Sequence, residues 1–153
     1  MLSTALGIII GLIFAIPLTI IPTRIYLKPA TEKAFYTWIL PPIALIYIGF
    51  SFYYQDLAVL PSEIFGVSIF TGFALFSRFF GSSWLALGYI SHGLWDLSHE
   101  LFQPGIVEYI PWTQVPIGYA AFCLTYDFIV AIYILKRRQL WDGSRLAWMT
   151  TCS

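Results

Sequence analysis

His92, Asp96 and His99 stand four and three residues apart, so a helix carries all three on one face. Imidazole nitrogens and carboxylate oxygens converging on one face are the donors that zinc and iron take up in helical bundles. His92, Asp96 and His99 are therefore the candidate metal ligands. Glu100, one turn beyond Asp96 at the edge of that face, and Asp127, further along the chain, are the candidates to complete the shell or act as a general base. Trp95 lies on the same side, and Gly88, one turn before His92, leaves room for a neighbouring backbone. The same residues also suit hydrogen-bonded helix glue, with His92 on Asp127 and Asp96 on a Tyr or Ser hydroxyl. A third use is a proton or ion path.

The element carrying this stripe has to be a membrane helix. Of the 153 residues, 59% are hydrophobic and only 10% charged, and the mean hydropathy is +0.78. Soluble domains carry about 25% charged residues, so most of this surface does not face water. Apolar runs predict an all-α bundle in one transmembrane domain over 1–153, with five spans at about 3–22, 37–54, 64–80, 83–102 and 115–135. The first run is too long for a signal-peptide core and reads as a retained helix. Pro17 falls inside span 1. Pro41 and Pro42 either interrupt span 2 or mark the first turn of a helix that begins there. Gly7 and Gly11 make a small-xxx-small pair suited to a helix–helix contact.

Charge orients the bundle. With five spans, Arg24, Lys28, Lys33, Arg78, Lys136, Arg137, Arg138 and Arg145 share one side, while Asp56, Glu63, Glu100 and Glu108 share the other. The positive-inside rule then places the N-terminus outside and the C-terminus in the cytoplasm. Four or six spans would scatter the same charges over both faces. The stripe on span 4, about 10 Å long, then runs from mid-membrane towards the outer surface. Two or three ionisable groups there, at roughly 2.5–3.5 kcal/mol each, demand partners. Asp127 on the antiparallel span 5 lies at the depth of His92, and Asp56 and Glu63 are placed to cap the outer end. Trp38, Trp84, Trp112 and Trp141 fall near span ends, as interfacial aromatics do. Residues 101–114 read as an interfacial connector rather than a lid. Zero net charge and the lack of a long basic run argue against nucleic acid as a partner. Cys123 and Cys152 form neither a disulfide framework nor a CxxC motif.

The run His92-Gly-Leu-Trp95-Asp96-Leu-Ser-His99-Glu100, the following Phe-Gln-Pro-Gly-Ile, and Cys123-Leu-Thr-Tyr-Asp127 together resemble a family of small uncharacterised bacterial multi-pass membrane proteins. That family has a His-x-x-Trp-Asp-x-x-His motif, a Pro/Gly loop and a Cys/Asp pair in its last helix. The likeness covers the C-terminal third. Glu100 stands where the family often has another His, and Cys123 is four residues from Asp127 where the pair is usually adjacent. The resemblance implies a bacterial cell membrane and weight on His92, Asp96, His99 and Asp127, but no reaction.

These readings combine into a multi-pass protein whose site binds a divalent transition metal, zinc or iron, or a small apolar ligand. If it is an enzyme, metal-assisted hydrolysis or oxidation of a lipid-like substrate drawn from the bilayer fits best. The alternatives are a non-enzymatic accessory or assembly subunit and a small transporter. For a transporter, five helices show no inverted repeat, and a homo-oligomer would have to supply the symmetry.

Overall fold

The computed structural model describes residues 2–102 and 112–151, and within them the chain is helical with no strand. Helix α1 is Leu2–Tyr26, α2 Pro29–Tyr53, α3 Leu60–Phe80, α4 Ser82–Leu101 and α5 Tyr119–Thr151, with a 3-10 turn at Leu57–Val59 before α3. α1, α2, α3 with its preceding turn, and the Tyr119–Gly143 part of α5 are each long and apolar enough to cross a membrane. α4 is 20 residues long, about 30 Å at 1.5 Å per residue, but its polar stripe dilutes its apolar character.

Proline chemistry shapes α1 and α2. Pro17 cannot donate the i→i−4 hydrogen bond, and its ring crowds the carbonyl four residues back. The helix widens into a π turn over Phe14–Ile20 to accommodate it. α2 begins at Pro29, where the missing N–H costs little. It passes through Pro41 and Pro42, which are therefore interior residues and not a first turn. Hydropathy starts this span at about 37 because Glu32 and Lys33 interrupt the apolar run. The helix continues past them because both side chains find partners on α5.

α4 sits at the centre, between α3 and α5 and against α2. α1 lies on α5 through Gly7 and Gly11. A Cβ at Gly7 would stand 2.3 Å from the Gly118 carbonyl oxygen, and one at Gly11 would stand 2.7 Å from that of Phe122. The α3–α4 corner turns on Gly81, whose φ of 103° suits glycine alone. Asp142 of α5 caps the start of α4, accepting from the Ser82 N–H at 3.0 Å and the Ser82 hydroxyl at 2.8 Å. Lys33 closes the corner on Asp142 at 2.7 Å.

Polarity is distributed the opposite way from a water-soluble fold. Glu32, Glu63, His92, Asp96, His99 and Asp127 are buried, while Leu6, Ile9, Phe14, Leu18, Phe65 and Ile132 lie on the outside. So much exposed apolar surface would aggregate in water and is at home against lipid. Trp38 and Trp84 are exposed, as expected of interfacial residues. Trp141 instead is buried, where its indole donates to Glu32 at 2.8 Å.

Candidate functional site

α4 and α5 approach closely because Gly93 lets them: a Cβ there would meet the Asp127 Cβ at 3.3 Å and the Leu124 Cα at 3.4 Å. Beside that contact, His92 Nδ1 lies 2.8 Å from Asp127 Oδ2 and 3.1 Å from Asp96 Oδ2. The Tyr47 hydroxyl of α2 donates to Asp96 Oδ1, bringing a third helix into the cluster. The Phe70 ring of α3 lies edge-on to the imidazole, with centroids 4.8 Å apart. His92, Asp96 and Asp127 are all fully buried.

Two carboxylates sharing one imidazole nitrogen cannot all be satisfied by a single N–H. His92 Nε2 and Asp127 Oδ1 are buried without a hydrogen-bond partner, a costly state for polar groups. With a neutral imidazole, the group reaches electroneutrality by taking up two protons or one divalent cation. One donor atom from each of His92, Asp96 and Asp127 lies within 4.8 Å of the others, so the three could hold a metal ion. Donors around a zinc-sized ion, at bonds of roughly 2.0–2.2 Å, stand about 3–3.5 Å apart, close to the N–O distances here. The donor types suit a transition metal as well.

His99 belongs to a different cluster, one turn beyond Asp96 along α4. Its Nδ1 donates to the Trp95 carbonyl at 2.9 Å, and its Nε2 lies 3.0 Å from Glu63 Oε1. The Thr113 N–H reaches the same carboxylate oxygen at 3.3 Å. Rings of Tyr47, Trp112 and Trp95 surround the imidazole at 4.2, 4.6 and 5.6 Å between centroids. The metal-capable group thus takes Asp127 where the spacing along α4 puts His99. Glu63 meets the stripe from α3, while Asp56 is partly exposed and Glu100, partly exposed at the C-terminal end of α4, joins neither cluster. Of the 101–114 connector, residues 103–111 lie outside the described residues, as does Cys152.

Two features escape the sequence reading. Glu32, fully buried near the basic end, accepts from Arg137, from the Trp141 indole and from the Tyr133 hydroxyl. A cavity of about 250 Å³ opens between α1, α2 and α5. Phe14, Ile39, Ile43, Ile46 and Phe122 make its walls, and Asp127, Cys123, Tyr119 and Tyr126 line it as well. Phe14 and Ile46 are exposed on the lipid-facing surface, so the cavity meets the bilayer side, and Thr19 lines it from the π turn of α1.

The family model of DUF6010, a family of unknown function, matches residues 3–139. The match extends well beyond the C-terminal third that carries the motif and takes in the first three helices. No curated protein and no solved structure matches the chain.

Proposed function

We propose that this chain, which belongs to the DUF6010 family, is a five-span membrane protein that holds a divalent transition metal on His92, Asp96 and Asp127 and acts on an apolar, lipid-like substrate. The observation that carries the reading is the shared position of Asp127, which belongs both to the metal-capable group and to the wall of the lateral cavity. An apolar molecule entering from the bilayer side would meet walls made by Phe14, Ile39, Ile43, Ile46 and Phe122, with Thr19, Asp127, Cys123 and the two tyrosines as the polar groups. In this reading α4 spans with the other four helices, its polar stripe turned away from lipid.

A bound divalent metal would supply Lewis acidity and a more acidic bound water, which favours hydrolysis or oxidation as the reaction class. His92 and the two carboxylates hold and orient the donor set. Asp127, with Oδ1 unpartnered beside the cavity, takes the proton-acceptor role in preference to Glu100, which lies away from it. The apolar walls exclude bulk water.

The test is metal content of protein purified in detergent without chelators. The expected result is roughly one equivalent of zinc or iron per chain, as a site of defined donors requires, lost in His92→Ala and Asp127→Ala and kept in His99→Ala. Metal-free unmutated protein would overturn the reading.

A second reading has an observation of its own. Tyr47, Asp96, His92 and Asp127 pair among themselves and tie α2, α4 and α5 together, as structural glue in an accessory subunit would. It requires His92→Ala and Asp127→Ala to lower thermal stability non-additively in protein that contains no metal.

A further inference from the structure

One face of α2 is cut back near its start. Ala30 and Ala34 leave a groove there, and Lys33, Thr37 and Trp38 share the face at helical spacing. Arg78 from the last turn of α3 and Trp141 of α5 close the groove into a cavity of about 270 Å³. The Lys33 side chain, 12% exposed, contacts Asp142 at 2.7 Å and has three N–H donors in all. The Arg78 guanidinium lies over the Trp38 ring, 5.8 Å from its centroid. The cavity is thus lined by two cations, and no acidic side chain is among its described lining residues.

The position of the cavity along the bundle narrows what could occupy it. α2 has 25 residues, about 37 Å at 1.5 Å per residue, against a hydrocarbon core of about 30 Å. A span of that length carries its first turns into the headgroup layer, and Arg78 on Trp38 brings the end of α3 beside them. Trp38 is 58% exposed, and amphipathic rings of this type settle at that level. Pockets that enclose a drug-sized molecule run to roughly 300–1,000 Å³. This smaller one suits a headgroup, with the rest of the lipid left in the bilayer.

We propose that this cavity binds the phosphate of an anionic phospholipid headgroup. A guanidinium donates two parallel N–H bonds to paired phosphate oxygens, and an ammonium adds a compact point charge. Arg78 and Lys33 supply one of each. Ala30, in the first turn of α2, places the positive end of that helix at the same cavity. Basic pockets between membrane helices take up acidic headgroups on this principle. A free phosphate offers the same oxygens but leaves the exposed Trp38 ring uncovered, which favours the lipid. The site is separate from the metal-capable group and does not depend on it.

Thermal unfolding of the purified chain in neutral detergent tests the site, with phosphatidylglycerol, phosphatidylcholine or inorganic phosphate added. Phosphatidylglycerol should raise the melting temperature, and the other two should raise it clearly less. Arg78→Gln should weaken phosphatidylglycerol binding at least about tenfold, the order expected for losing a charge-assisted hydrogen-bonded pair. Lys28→Gln, at an exposed cation outside the cavity, should leave it unchanged. Each variant is compared with its own lipid-free melting temperature, so a general loss of stability cancels. As a second measurement, native mass spectrometry of unmutated protein should retain phosphatidylglycerol under conditions that strip phosphatidylcholine. Equal effects of the two lipids, or equal losses in Arg78→Gln and Lys28→Gln, would overturn the site. Inorganic phosphate matching the lipid would overturn the lipid assignment and make the occupant a free anion.

Discussion

The His99–Glu63 pair shows how tightly one residue's chemistry is fixed by its neighbours. Because Nδ1 donates to the Trp95 carbonyl, which can only accept, the proton between Nε2 and Glu63 Oε1 has to be shared by those two atoms. Both side chains are buried, so deleting one leaves the other without its partner. Glu63→Ala should lower stability by about 1–3 kcal/mol, the usual cost of an unsatisfied buried polar group. Glu63→Gln, whose amide can donate to a neutral Nε2, should cost clearly less. Thermal unfolding of the two variants in detergent tests the order, and equal losses would contradict the shared-proton account. The pair is also distinct from the metal-capable group, so His99→Ala should destabilise the protein while leaving its metal content unchanged.

At the scale of the element, the α1–α5 contact depends on what two glycines lack. Any side chain at Gly7 or Gly11 runs into the backbone of Gly118 or Phe122, at the start of α5, whereas a Cβ at Gly49 or Gly72 meets nothing within 4 Å. Gly7→Ala and Gly11→Ala should therefore cost about 1–3 kcal/mol through overpacking. Gly49→Ala and Gly72→Ala should be neutral or stabilising by about 0.5–1 kcal/mol, because alanine is the better helix former. Equal effects at all four positions, read from melting temperatures, would argue against close α1–α5 packing. These glycines, the stripe on α4 and the depth of Asp127 were legible in the sequence because each is a matter of period or of distance along one helix. Helix ends were less legible: hydropathy marks the apolar crossing, and α2 and α5 extend beyond theirs wherever Glu32, Lys33, Arg137 and Asp142 pair with one another. The Glu32 network and the lateral cavity were not legible at all. Each is assembled from helices distant in sequence, and Phe14 and Thr19 reach the cavity from the π turn around Pro17 in α1.

On the scale of the whole molecule, the folded bundle gathers charge in a way that bears on its orientation. Lys33, Arg78 and Arg137 lie at one end, where Asp142, the Trp38 ring and Glu32 receive them. The turn between α2 and α3, with Asp56, lies at the other. The acidic partners at the basic end, Glu32 and Asp142, are consumed in these contacts and leave Arg24, Lys28, Lys136 and Arg138 to set the bias. If that end is cytoplasmic, the His99–Glu63 pair lies towards the outer leaflet, and the cavity draws its ligand from within the bilayer. Single cysteines in a Cys123→Ser, Cys152→Ser background test this directly. Ala58→Cys, exposed in the α2–α3 turn, should react with a membrane-impermeant maleimide in intact cells. Lys28→Cys, exposed between α1 and α2, should react only after permeabilisation. The reverse pattern would invert the bundle and turn the polar stripe towards the cytoplasm. Labelling of both sites in intact cells would place the two turns on the same side, which two turns separated by a single spanning helix cannot share.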